Sequence, residues 1–99
     1  MKRYPKTNIF WCAGDALALE VLKQVKKQGI DNSIIGGFDW LPAALQQIEA
    51  GNLTASVGGH FLMGASALVK IVDYHQGVNQ FILPPRMNNY EVITRDNVN

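Results

Sequence analysis

Three times in succession, a short apolar run gives way within a few residues to a longer stretch whose apolar positions recur every three or four residues. No other feature limits what the chain can fold into as strongly. Residues 8–14, "NIFWCAG", read as a buried strand ending in small residues, and 15–28 as a helix with Leu17, Val21, Leu22 and Val25 on one face and Gly29 as its stop. Residues 33–37 read as a second strand. Residues 41–50 read as a second helix, with Leu41, Ala44, Leu45 and Ile48 on one stripe, Pro42 suited to its first turn and Gly51 at its end. Residues 53–59 form a third strand and 61–76 a third helix closed by Gly77. A Pro- and Asn-rich connection, stiffened by "PPR" at 84–86, then leads to a last strand over 90–94.

Strand, helix, strand, helix, strand with short links predicts parallel strands joined by right-handed crossovers, an α/β fold in which a parallel sheet is flanked by helices. The strands are nearly continuous apolar runs, as in sheets covered on both faces. At 99 residues the chain is one domain at most. Three parallel strands and three helices are fewer than a doubly wound domain carries, and the first strand has no helix before it. The chain therefore reads as part of something larger.

Composition removes several function classes. A net charge of +1 gives no basis for nucleic-acid binding, and the run Lys23 to Lys27 suits the solvated last turn of a helix. Cys12 is the single cysteine, so no internal disulfide forms, and its place inside "NIFWC" marks a buried, unreactive thiol. No apolar stretch approaches the roughly 18 residues of a membrane span. The opening "MKRYPKTN" leads into only four apolar residues and is not read as a signal peptide. His60 and His75 stand fifteen residues apart without acids or cysteines at ligand spacing, so no metal is expected, and no cofactor. Gly36-Gly37 makes no dinucleotide fingerprint, and Ser33, Ser56 and Ser66 lack a nucleophile-elbow context.

Ligands of open parallel sheets bind at the carboxyl ends of the strands. The first strand ends in "AGDA" with Asp15, the second in "GFDW" with Asp39 and Trp40, and the third in "GGHF" with Gly58, Gly59 and His60. Asp15 reads either as a helix cap or as a ligand contact. Asp39 stands too far before Pro42 to be a simple cap and is a candidate contact. Trp40 either buries its ring in a neighbouring element or offers a stacking surface for the apolar face of a sugar. His60 is a helix-start or surface histidine, or a polar contact. Their coincidence at one sheet edge favours a site.

The stretch "AGDALALEVLKQVKKQGIDNSIIGGFDWLPAALQQIEAGNLTASVGGHFLMGASALVKIVDY" resembles the type I periplasmic sugar-binding proteins, the group of ribose- and galactose-binding proteins whose fold the lactose-repressor effector domains share. The resemblance is carried by "GFD" followed at fixed spacing by Pro42, Ala44, Ile48, Gly51, Leu53 and Ala55, and it extends over residues 8–76. It implies a single partial domain, in which about 1–59 belong to the C-terminal lobe and about 60–99 are a crossing helix and return strand. It implies that Asp39 accepts hydrogen bonds from sugar hydroxyls in a cleft between two lobes, with His60 and Trp40 beside it. Gly14 stands where the family has Asn, Gly59 where Gln is common, Trp40 where many members have Gly, and Leu41 where Thr often caps the helix. The function implied is non-catalytic sugar binding as the substrate-binding component of an ABC-type transporter in the periplasm, with a membrane permease as partner. The alternatives are the effector or sensor domain of a regulator with the same fold, and a small α/β enzyme using His60 as base. Half a cleft with an open sheet edge also predicts self-association of the chain.

Overall fold

The computed structural model describes residues 3–77 and 90–99, so the connection at 84–86 lies outside the described residues. The elements are β1 (Ile9–Trp11), α1 (Asp15–Lys27), β2 (Ile34–Phe38), α2 (Pro42–Glu49), β3 (Ala55–Gly58), α3 (Leu62–His75) and β4 (Glu91–Thr94). They form one four-stranded sheet in the order β1-β2-β3-β4. β1, β2 and β3 run parallel, and β4 returns antiparallel beside β3, with Ser56 opposite Ile93 and Val57 opposite Val92.

The expected element order holds throughout, with shorter strands. β1 ends at Trp11 and the following residues turn into α1; Leu53 precedes β3 yet is buried in the core. α1 and α2 pack together on one face of the sheet. Their buried residues, Ala18, Leu22 and Val25 from α1 and Ala44 and Ile48 from α2, close over Ile35 and Cys12. Full burial of Ile35 and Ile48 contributes about 1.5–3 kcal/mol each.

α1 is rotated relative to the stripe read from the sequence. Leu17 is exposed, and Ala18 faces the sheet in its place. The cause is Gly37: a methyl group there would lie 3.1 Å from the Ala18 side chain and would run into the Asp15 carboxylate, so only glycine lets α1 settle this close to β2. Pro42 opens α2 at its first position, as its fixed φ favours, and Leu41 precedes it as N-cap in extended conformation without a side-chain cap bond.

The second face of the sheet is uncovered by α1 and α2, contrary to the expectation of a sheet buried on both sides. α3 follows β3 and leaves Leu68, Val69, Ile71, Val72 and Tyr74 exposed.

Candidate functional site

β2 stops at Phe38 and β3 at Gly58, and the links that follow them lie side by side at the same edge of the sheet. The first link is fixed through its backbone. The Asp39 N–H donates to the Val57 carbonyl at 2.8 Å, adding one rung beyond the strand. The Trp40 N–H donates to Ser56 Oγ at 3.3 Å, and the Leu41 N–H to Asp15 Oδ2 at 2.8 Å.

These bonds hold an unfavourable geometry. Asp39 has φ 122° and Trp40 φ 58°, a region that side-chain-bearing residues seldom occupy and that costs about 1–3 kcal/mol per residue. Beneath the link, Asp15 is fully buried and anchors it. Ser56 donates to both carboxylate oxygens, at 2.8 and 2.9 Å, and its hydroxyl oxygen accepts from Trp40 above. Asp15 thus joins the start of α1 to β3 and to the residue before α2.

Asp39 and His60 meet at the rim. His60 Nε2 lies 3.3 Å from Asp39 Oδ1, and the Asp39 side chain remains 42% exposed. The imidazole packs 4.7 Å from the Phe38 ring and edge-on to Phe61 at 5.6 Å. Its Nδ1 is buried with no hydrogen-bond partner among the described residues. The other oxygen of Asp39 faces Gly14, where a methyl group would lie 3.3 Å from Oδ2.

Trp40 is half-buried and tethered. Its indole N–H donates to the Ser56 carbonyl at 3.2 Å, and the ring lies so close over Gly58 that no β-carbon fits beneath it. Phe61 meets it edge-on at 5.7 Å, and Tyr90 packs against Phe38 at 5.8 Å. Gly59 has φ 99°, a conformation open to glycine, which turns the chain so that His60 comes back toward Asp39.

Four of the five residues singled out in the sequence, Asp39, Trp40, Gly59 and His60, therefore come together at one edge, and Asp15 lies directly behind them. Sequence reasoning missed Ser56, which binds Asp15 and Trp40 at once, and the aromatic frame of Phe38, Phe61 and Tyr90. The available signal for Ser56 was a hydroxyl at an inward position of an apolar strand. The arrangement combines a half-exposed carboxylate acceptor, an imidazole, and aromatic rings, the equipment for holding hydroxyl groups beside apolar C–H faces. Among the described residues, no three or more His, Cys, Asp or Glu side chains gather as a metal site.

No protein-family model matches the chain. It is 32% identical over 75 residues to the D-allose-binding periplasmic protein of Escherichia coli (strain K12), covering 74% of this chain and 24% of that protein. A periplasmic sugar-binding protein from Pseudomonas fluorescens superposes with a TM-score of 0.79 at 28% identity, covering 98% of this chain and 31% of the other. A myo-inositol binding protein from Caulobacter does so at 0.73 and 27% identity, over 92% of this chain and 31% of its own. A glucose-galactose binding protein from Geobacillus stearothermophilus shares the fold, with a TM-score of 0.80 at 24% identity over 97% of this chain and 34% of its own. The chain spans 24–34% of the length of these proteins. In sequence and in fold it matches a segment of the type I periplasmic sugar-binding proteins.

Proposed function

We propose that the edge formed by Asp39, Trp40, Gly59 and His60 is one wall of a carbohydrate-binding cleft. The observation that carries this reading is the strained Asp39, held with its carboxylate half-exposed between His60 and the Gly14 gap. Backbone strain that surrounding hydrogen bonds maintain is characteristic of ligand contacts. Asp39 accepts hydrogen bonds from sugar hydroxyls, His60 adds a second polar contact, and the free part of the Trp40 ring packs on the C–H face of the sugar. Asp15 acts as a positioning residue, fixing Trp40 and Leu41 through Ser56 and its own carboxylate. The role is binding without catalysis, as the substrate-binding component of a sugar transporter in the periplasm, with a permease as the partner. The similar proteins that bind D-allose and myo-inositol support a polyhydroxylated ligand class.

Saturation-transfer NMR with D-allose, D-glucose, D-galactose and myo-inositol, each at about 10 mM to reach the weak affinity of a single wall, tests the reading. One of them is expected to receive saturation and to shift the Trp40 indole resonance. Asp39→Ala removes charge-assisted hydrogen bonds worth about 1.5–3 kcal/mol, a loss of roughly 10- to 100-fold in affinity. Transfer that survives Asp39→Ala unchanged, or no transfer from any of the four, overturns the assignment.

A further inference from the structure

Asp39 is bracketed by aromatic residues, first in the chain and then in space. Phe38 precedes it and Trp40 follows it, and His60 and Phe61 close the gap between those neighbours. His60 lies 4.7 Å from Phe38, Phe61 lies 5.6 Å from His60, and Trp40 lies 5.7 Å from Phe61. The rings therefore run without a break from the residue before the carboxylate to the residue after it. Their planes meet at 34°, 71° and 73°, so they stand as walls of a box and not as a stack. The backbone builds that box. Positive φ at Asp39, Trp40 and Gly59 shapes the two links, and the indole N–H is fixed to the Ser56 carbonyl.

The two carboxylate oxygens of Asp39 are not equivalent. Oδ1 faces His60 Nε2 at 3.3 Å. A carboxylate only accepts, so the imidazole nitrogen facing it is the donor. Oδ2 has no donor among the described residues and faces Gly14, where a β-carbon would lie 3.3 Å away. The space beside Oδ2 stays open because position 14 carries no side chain. Among the described residues, no lysine or arginine comes within ion-pair distance of this carboxylate.

A carboxylate oxygen without a donor, set among aromatic walls, suits a cation. Ring faces attract an ammonium within about 6 Å of the centroid, and tryptophan does so most strongly. A hydroxyl at Oδ2 gains the hydrogen bond alone, whereas an ammonium there gains the ion pair and the ring faces as well.

We infer that this wall selects a sugar carrying a protonated amine. The ammonium sits against Asp39 Oδ2 in the Gly14 gap, and the carbon skeleton lies against Trp40 and Phe61. His60, by occupying Oδ1, leaves Oδ2 to the ammonium. The inference rests on the carbohydrate reading and narrows it from sugars at large to amino sugars.

Titration of the Trp40 indole resonance with D-glucosamine, D-glucose and N-acetyl-D-glucosamine at about pH 7 tests it. The first sugar carries the charge, the second lacks the substituent, and the third carries a substituent without charge. D-Glucosamine is expected to bind about fivefold tighter than either neutral sugar, with a margin that shrinks in high salt. Asp39→Asn keeps the size of the side chain and tolerates positive φ, so the link stays in place while the preference disappears. Phe61→Leu keeps an apolar wall without the ring face and is expected to cut the preference by about half. Equal affinity for D-glucosamine and D-glucose overturns the inference and leaves the carbohydrate reading standing. A preference shared by N-acetyl-D-glucosamine means that the gap reads bulk, and overturns it too. So does a preference that survives Asp39→Asn. Silence from all three sugars overturns the inference, and silence from D-allose, D-galactose and myo-inositol as well overturns the carbohydrate reading beneath it.

Discussion

Asp39 and Trp40 concentrate the backbone strain of the sheet edge. Both hold positive φ, and the N–H groups of residues 39, 40 and 41 are each committed to a partner in β3 or to Asp15. Replacing Asp39 by glycine removes the steric strain, whereas alanine keeps it. Asp39→Gly is expected to be more stable than Asp39→Ala by about 1 kcal/mol, the reverse of the usual order for these residues, with sugar affinity lost in both. Urea midpoints of the two variants check this; an Ala variant as stable as the Gly variant would show the backbone to be unstrained. Cys12 carries a different residue-scale consequence. Burial first, and the Asp15 carboxylate second, raise its thiol pKa above the ordinary value. The folded chain therefore keeps the thiol proton to higher pH than the unfolded chain does. Stability from this source is complete below the ordinary thiol value of about 8.5 and is lost as pH rises through the folded value. Between pH 7 and about 9.5, the wild-type urea midpoint is expected to fall more than that of Cys12→Ala. Parallel declines would dissociate the thiol from the alkaline loss.

At the scale of elements, Asp15 holds the architecture of the edge. It is the first residue of α1, yet its bonds run to β3 and to the residue before α2, forty-one and twenty-six positions along the chain. Asp15→Ala leaves the buried Ser56 hydroxyl and the part-buried Leu41 N–H without their acceptor, and destabilisation of about 3 kcal/mol is expected. Thermal denaturation measures it, and a loss below about 1 kcal/mol would mean that water replaces the carboxylate. This role also marks the boundary of what the sequence discloses. The period of apolar residues and the glycines and proline at the junctions were sufficient to order all seven elements, because those signals are local. The rotation of α1 was not legible. Leu17 looks like a core residue on hydropathy alone, and Ala18 replaces it only because Gly37 allows close contact across the sheet. Asp39 and His60 were legible as strand-end residues, but their pairing depends on adjacent strands bringing two loops into register. Ser56 was illegible as a hub, because nothing in a single strand tells which carboxylate its hydroxyl will meet.

Across the whole molecule, protection against unfolding follows the sheet. β2 is bonded on both sides, to β1 and β3, and carries Ile35 into the centre of the core, so its amides depend on the sheet and the α1–α2 layer together. Among the described residues, no strand or helix packs comparably on α3. A 14-residue helix is marginal in water on its own, and the apolar residues of α3 face solvent. Hydrogen exchange is therefore expected to separate the two, with the slowest amides at Ile35 to Gly37 and the fastest helical ones in α3. In dilute solution the α3 amides open locally and exchange within the fast class. β2, paired on both sides, opens only by the global unfolding route. Amides of α3 that exchange as slowly as those of β2 would overturn this order.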